Sequence, residues 1–415
     1  MSFRKIIQFI LKKKAKKVVR RFNPLVIGIT GSVGKSSTKE MIALALSSKF
    51  SRLRQSPSNY NNEVGLPLTI LNEKGQENNL GKWLSLFWRT RGRALRQMKE
   101  YPEILVLEMA ADHPGDISYL LSIVKPKIGI LTAIAPCHLE YFKNIENVKR
   151  EKIKLLTSIS EDGWAIFNSD DPNLSDIKQK IKAKIITFGF NPSSDIYPLE
   201  IQLDQELKGK RIHILGLRFK IKCQGNVIPV FLPKVLSGSL VNSVLATMAV
   251  GVTQEINLLK IAEKIRQYKP LSQRMNLIYG KNGTLIIDDT YNSSPYSLKS
   301  ALSDLDQIKN HPQTQKWVVL SDMLELGVEG KKYHLEIGQE IARKKDCRLV
   351  ATGDLSLYFV KGAREEGTSK ERALYFKEKQ QAIEYLLKNI KEGDVILVKG
   401  SRATKMEEVV EKLKK

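Results

Sequence analysis

The chain has 415 residues, 42% of them hydrophobic, and carries 68 Lys+Arg against 44 Asp+Glu for a formal net charge of +24. That length exceeds what one hydrophobic core fills, so two or three domains are expected; no apolar run reaches the roughly 20 residues of a membrane span, and the lysine-interrupted start lacks a secretory cleavage site, so a cytoplasmic location is expected. The widely spaced Cys137, Cys223 and Cys347 argue against a disulfide framework or a structural zinc site and read as ordinary buried thiols, while the positive charge favours anionic partners such as nucleotides, acidic substrates, anionic lipid or nucleic acid.

Residues 1–22 read as a basic amphipathic helix: Phe3, Ile6, Ile7, Ile10, Leu11, Val18, Val19 and Phe22 recur at helical spacing among lysines and arginines with no acid. Such a helix suits an anionic membrane surface, at the inner face of the membrane, or packs its apolar stripe on its own protein. After Asn23-Pro24, an apolar strand from Leu25 to Ile29 leads through a glycine-containing turn to a helix from about Lys35. A basic, aromatic stretch from Trp83 to Lys99 belongs to the same surface or to a solvated helix face. Strands recur at Ile104 to Leu107, Ile128 to Leu131 and Ala165 to Phe167 with helical stretches between them, which predicts an α/β domain with a mainly parallel sheet. Runs such as Arg211 to Cys223 and Val227 to Leu232 predict an antiparallel extension of that sheet, followed by helices from about Ser239 to Tyr268. A second alternation, with strands near Leu285 to Ile287, Trp317 to Leu320, Arg348 to Ala351 and Val395 to Val398, predicts a Rossmann-like C-terminal domain. The expected units are 1–22, 23–270 and 271–415.

The segment from Gly28 to Ser37 joins the first strand to its helix, where backbone N–H groups and the positive helix end cradle phosphate. Its spacing is one residue off the usual GxxxxGK[ST] phosphate loop. Thr30, Gly31, Ser32, Gly34, Lys35, Ser36 and Ser37 are the expected nucleotide contacts, with Lys35 at the terminal phosphates and the Ser36 hydroxyl on Mg²⁺.

The TGSVGKS form of the loop resembles that of the Mur ligases. Further segments in order resemble the branch that joins D-alanyl-D-alanine to UDP-N-acetylmuramoyl-tripeptide: Tyr60 to Pro67, Leu107-Glu108-Met109, His138-Leu139-Glu140, Arg274-Met275, Asp288 to Pro295, Asp322 to Gly327, and Val398 to Arg402. The resemblance implies a phosphate-loop central domain, a Rossmann-like C-terminal domain, and ATP-dependent amide ligation through an acyl phosphate, with ATP and Mg²⁺ as cofactors. It places Lys35, Glu108, His138, Lys152 and Arg274 in catalysis, with Ser36, Glu108 and His138 on the metal and Lys152 as a lysine often carbamylated in relatives. It assigns Arg274, Asp289 and Asn292 to the nucleotide, and Asn61, Asn62, Lys399, Ser401 and Arg402 to the substrates. Asn168 follows a strand and either faces the nucleotide or makes a turn. The implied partners are a peptide-bearing carboxylate and a D-alanyl-D-alanine-like amine; nucleic acid is not expected.

Three departures stand out. The phosphate loop begins so early that a preceding UDP-binding domain has no room, the usual Gly-x-His-Asn stretch reads Ser237-Gly238-Ser239-Leu240-Val241-Asn242, and the usual Asn-Ala-Asn-Pro reads Asn292-Ser293-Ser294-Pro295. The alternatives are a Mur-like ligase for another acid, such as a cofactor precursor or non-murein peptide, and a basic P-loop ATPase that binds nucleic acid, for which no helix-turn-helix, zinc finger or RNA motif is found.

Overall fold

The computed structural model describes residues 3–75, 83 and 100–415, so the basic stretch from Trp83 to Lys99 lies, apart from Trp83, outside the described residues. Helix α1 (Phe3–Phe22) leads into β1 (Leu25–Thr30), α2 (Lys35–Leu46), β2 (Leu53–Gln55), α3 (Gly65–Leu71), β3 (Ile104–Glu108), α4 (Asp116–Leu121) and β4 (Ile128–Leu131). The chain continues through α5 (Leu139–Phe142), α6 (Ile145–Lys152), α7 (Lys154–Thr157), β5 (Trp164–Asn168) and β6 (Lys184–Phe188). Three long strands follow, β7 (Ile196–Lys208), β8 (Arg211–Cys223) and β9 (Asn226–Pro233), then α8 (Ser239–Thr253) and α9 (Leu258–Ile265). These strands form one nine-stranded sheet in the order β2-β3-β1-β4-β5-β6-β7-β8-β9.

Strands β1 to β6 pair in parallel, β7 joins β6 in parallel, and the pairings of β7 with β8 and β8 with β9 extend the sheet antiparallel. The difference follows from the sequence. The apolar run of β1 is buried on both faces: Ile27 and Ile29 belong to one core and Val26 to the opposite one, as successive side chains of a strand point to opposite faces. Strand β8 instead alternates buried and exposed residues along much of its length, the pattern of a sheet with one solvated face.

A second, six-stranded sheet, built from β10 (Asn276–Tyr279), β11 (Leu285–Asp289), β12 (Lys316–Ser321), β13 (Cys347–Thr352), β14 (Ala373–Phe376) and β15 (Val395–Lys399), has the order β10-β11-β15-β12-β13-β14. All its pairings are parallel except β10 with β11. Its helices are α10 (Pro295–Asp306), α11 (Gly330–Ala342), α12 (Leu357–Glu365), α13 (Lys379–Asn389) and α14 (Glu407–Leu413). Helix α10 starts where the sequence tells it to: Ser294 and Ser297 form a reciprocal capping box, and Pro295 occupies the first turn, where its missing N–H costs nothing.

Helix α1 bears on the two readings open to its sequence. Its apolar stripe, Ile7, Leu11, Ala15 and Val18, is buried against α3, β3 and α4 residues, and Phe22 stacks on Tyr101 at 4.6 Å between ring centroids. At its start Arg4 and Gln8 both donate to Glu63 Oε1, at 2.7 and 2.9 Å. This part of the stripe is therefore covered by the protein's own core, as the second of the two readings has it, while Ile6 and Phe9 stay exposed. Among the described residues no helix is long and apolar enough to cross a membrane.

Candidate active site

The two sheets aim the carboxyl ends of their strands into one cleft of about 450 Å³, where an open α/β sheet presents its ligand-binding loops. The first sheet contributes the loop after β1, Glu108 at the end of β3 and Thr132 after β4; the second contributes Asp289 at the end of β11 and Lys399 at the end of β15. Strand β1 sits between β3 and β4, so the phosphate loop lies centrally, with Glu108 to one side and the ends of β5 and β6 to the other.

The loop geometry rests on its glycines. Gly34 has φ +82° where α2 begins, a conformation that L side chains rarely adopt. A Cβ on Gly31 would lie 2.0 Å from the Thr132 hydroxyl, which itself donates to Val33 O at 2.5 Å. Ser32 Oγ donates to Ala135 O and accepts from Ala135 N, both at 3.0 Å, tying the loop to the segment after β4. Lys35 folds over the loop, donating to Gly31 O at 2.7 Å and Ser32 O at 3.4 Å. Its ammonium thus stands among backbone N–H donors at a helix N-terminus, a ready anion site.

Glu108 is 4% exposed and accepts from Asn61 Nδ2 at 3.0 Å. Burial pushes its carboxyl up, but the charges of Lys35 and Lys39 and hydrogen bonds from Asn61 and Ser36 outweigh that and hold it below the usual carboxylate range. The Lys39 ammonium, fully buried one turn beyond Lys35, lies 3.9 Å from Glu108 Oε2 and donates to Ser56 O at 2.7 Å. Sequence reasoning passed over Lys39; the available signal was its i+4 spacing from Lys35 on α2. Replacing Lys39 with methionine leaves Glu108 buried without its nearest counter-charge and is expected to cost about 3 kcal/mol of stability. Denaturant unfolding measures this, and an unchanged midpoint would show that the pair contributes nothing.

His138 adopts φ +51°, strained for a non-glycine residue, at the start of α5. Its ring lies between two carboxylates, with Nε2 3.2 Å from Asp112 Oδ1 and Nδ1 2.7 Å from Glu325 Oε2. The His138 hydrogen bond holds the Glu325 carboxyl below its usual range. Glu325 comes from the second sheet's side of the cleft, so this contact spans the two halves. Lys152 is fully buried, with Nζ 3.4 Å from Ala111 O. Burial pushes its ammonium down to about 8; Cys137, Asp112 and Glu151 oppose that shift, and Lys35 adds to it. Cys137 itself corrects the reading of three buried thiols: it is half-buried, lines the cleft and lies 3.2 Å from Ser32 Oγ.

On the other wall, the Arg274 guanidinium lies 3.9 Å from the centroid of the Tyr291 ring, and Tyr291 Oη donates to Asn59 Oδ1 at 2.7 Å across the cleft. Lys399 Nζ is 2.5 Å from Asp289 Oδ2 and donates to Asn292 O at 2.9 Å. The cleft lining brings together Ser32, Gly34, Lys35, Ser36, Ser37, Asn61, Asn62, Glu108, His138, Arg274, Asp289, Asn292 and Lys399. Thr30, Gly31 and Lys152 lie behind it.

Five of the expected positions make contacts within the fold. Asn168 accepts from Asp170 N at 3.0 Å and closes a turn, the second of the readings open to it. Ser401 Oγ accepts from Leu324 N at 2.8 Å and so supports the Asp322–Leu326 loop. Arg402 bonds Gln273 Oε1 at 2.7 Å and pairs with Glu407. Lys399, assigned with Ser401 and Arg402 to the substrates, is buried and paired with Asp289. Asn62 Oδ1 accepts from Val64 N and Gly65 N and caps the start of α3.

Comparison with known proteins agrees with this geometry. The Mur ligase middle domain model matches residues 29–80 and 92–232, and the Mur ligase, glutamate ligase domain model matches residues 273–402. The UDP-N-acetylmuramoyl-tripeptide--D-alanyl-D-alanine ligase of Bacillus subtilis is 30% identical over 403 residues, covering 97% of this chain and 79% of that protein. The structure is similar to the MurF ligase of Thermotoga maritima solved in complex with ADP (26% identity, TM-score 0.78, 98% of this chain and 83% of that one) and to MurF from Acinetobacter baumannii (26% identity, TM-score 0.79, 97% and 80%). The two domain models meet across the cleft that holds the phosphate loop, and on that evidence the chain belongs to the Mur ligase family.

Proposed function

We propose that this protein is an ATP-dependent peptide ligase that joins D-alanyl-D-alanine to the terminal carboxylate of a UDP-N-acetylmuramoyl-tripeptide, in peptidoglycan precursor synthesis. The observation that carries the reading is the convergence, in one cleft between two α/β sheets, of the Lys35 phosphate loop, the ionised Glu108 and the second sheet's Arg274, Asp289 and Asn292. The relatives named above supply the two substrates.

Mg²⁺ suits the donor set. Among the described residues no cluster of three His, Cys, Asp or Glu side chains could hold a metal by itself, but Mg²⁺ on a nucleotide needs only one or two protein oxygens besides phosphate and water. Glu108, kept ionised beside the Ser36 hydroxyl, would supply hard oxygen donors together with Ser36, and His138 would offer a ring nitrogen in place of its contact with Asp112 or Glu325. The ion would offset phosphate charge as the γ-phosphoryl moves.

In the reaction, a substrate carboxylate oxygen bonds to the γ-phosphorus and ADP leaves, giving the acyl phosphate. The Lys35 ammonium and the loop N–H groups offset the charge that spreads over the phosphoryl oxygens. The dipeptide amine then attacks the acyl carbon, loses a proton, and phosphate departs as the amide forms. Arg274 and Tyr291 lie on the closing wall, so the full set of charges assembles when the two halves meet, and water is excluded from the acyl phosphate.

The test is ATP-dependent phosphate release with both substrates and with each omitted in turn. Release that requires both, with the ligated product seen by mass, is the expected result. ATP binding without release would redirect the search to another acid or amine for the same chemistry.

A further inference from the structure

Covering the stripe of α1 leaves its opposite face turned outward. Ile6, Phe9, Lys13, Lys17 and Arg20 follow one another at three- and four-residue steps, so they lie in one line down the helix, with Lys5 and Lys16 beside it. Along that line Ile6 is 41% exposed and Phe9 51%. No acidic residue occurs in α1, and among the described residues no carboxylate pairs with Lys5, Lys13, Lys16, Lys17 or Arg20. The Lys13 ammonium instead lies 4.5 Å from the centroid of the Phe9 ring.

The helix is fastened to the body of the protein as a finished element. Ile7, Leu11, Ala15 and Val18 fix it along its length, the Lys12 ammonium lies 4.6 Å from the centroid of the Tyr119 ring on α4, and Tyr119 Oη donates to Gln8 O at 3.4 Å. At its first turn Arg4 and Gln8 reach Glu63, in the segment that carries the cleft residues Asn61 and Asn62. From Lys5 to Arg20 the outward line runs about 22 Å, at roughly 1.5 Å per residue, and a flat surface can meet all of it at once. A partner therefore gains its contacts without the entropic cost of ordering the helix.

We infer that this face docks the protein on an anionic lipid surface. Its charge is complementary to such a surface, and lysine stems lie along the interface while their ammonium groups stay with the headgroups. The two apolar side chains favour lipid over nucleic acid. A phosphate backbone would be met by the lysines alone and gives an aliphatic Ile6 nothing to replace water, whereas a headgroup boundary takes both Ile6 and Phe9 out of water. Because the main apolar stripe is covered, the helix does not sink. Contact is made by charge and by two side chains at one end, so binding is peripheral, reversible and salt-sensitive.

The test sediments the full chain with vesicles of phosphatidylcholine, alone or mixed with phosphatidylglycerol. Wild type should bind the mixed vesicles, leave them as salt is raised, and ignore phosphatidylcholine. Lys13→Glu/Lys17→Glu/Arg20→Glu should weaken binding by about a hundredfold, each basic residue near an anionic surface being worth roughly fivefold. Lys345→Glu/Lys370→Glu/Lys391→Glu changes the net charge equally from exposed positions outside α1 and should leave binding nearly intact. Equal loss in the two triple variants would show attraction by overall charge and overturn the inference. Ile6→Ser/Phe9→Ser should cost about tenfold; no loss there, with RNA competing fully against the vesicles, would overturn it in favour of nucleic acid. Melting temperatures of the helix variants should match wild type, because the substituted side chains lie outside the packed stripe. If charge reversal lowers the melting temperature, Lys13→Gln/Lys17→Gln/Arg20→Gln, which removes charge without adding repulsion, makes the same comparison. Wild type that ignores both kinds of vesicle would overturn the inference and leave the ligase reading untouched, since phosphate release is measured without lipid.

Discussion

Lys35→Ala is expected to lower ATP-dependent phosphate release by about a thousandfold while leaving the fold intact. The Lys35 side chain is half-buried, donates to the loop carbonyls of Gly31 and Ser32, and shares with Lys39 the task of holding the buried Glu108 ionised. Lys39 remains beside Glu108 when Lys35 is removed, so the fold is expected to persist with a loss of about 1 kcal/mol, read from the unfolding midpoint. In the reaction the loss is large, because the ammonium is the side-chain cation in the loop that faces the phosphoryl group as its charge spreads. Single-turnover phosphate release together with ATP affinity separates the two effects. A variant that keeps more than a tenth of wild-type release would place the phosphates somewhere other than this loop.

The second large effect belongs to Lys152. Its folded pKa, about 8, lies below that of the lysine in an unfolded chain, so between these values the unfolded state binds more protons and stability rises with pH. The burial penalty is fully present below about pH 8 and disappears as pH climbs toward that of an ordinary lysine. Lys152→Met, which fills the same space without charge, is expected to raise stability at pH 7 by about 3 kcal/mol and to flatten the pH dependence above 8. A fully buried lysine that costs stability is a candidate for function, and the depressed pKa leaves a minor but useful share of neutral amine at pH 7, the form that reacts with carbon dioxide to give a carbamate. Wild-type turnover should accordingly increase with added bicarbonate, and Lys152→Met should lose about a hundredfold of activity and show no bicarbonate response. Full activity in the methionine variant would reduce Lys152 to a structural lysine.

Much of this was written locally in the chain. The apolar run of β1 followed by glycines, Lys35 and a helix is a short-range pattern, and the phosphate loop formed where that pattern lay. The alternation of both sheets, with the antiparallel turn taken by β7, β8 and β9, was equally legible, because burial on one face or two leaves a different spacing of apolar residues. What stayed hidden depends on contacts between distant residues. Nothing beside Lys399 shows that Asp289 waits for it, and nothing beside Glu325 shows that it will meet His138. Asp304 offered a fainter sign, a carboxylate beside Ala301, Leu302 and Leu305 on a buried helix face, but only the fold shows that Gly238 N donates to it. Helix α1 shows the limit most simply: its composition describes two faces and cannot say what covers the apolar one.

The cover of α1 has a consequence for how the chain is made. Its stripe of Ile7, Leu11, Ala15 and Val18 packs with Leu66, Leu105, Ile117 and Leu120, residues that leave the ribosome long after it. At a synthesis rate of about 5–20 residues per second, the helix is out for several seconds before its partners exist. During that interval a strongly basic segment with an uncovered apolar side stands at the mouth of the ribosomal exit tunnel, and the same residues that are inert in the finished enzyme are the ones most in need of a chaperone while it is being born.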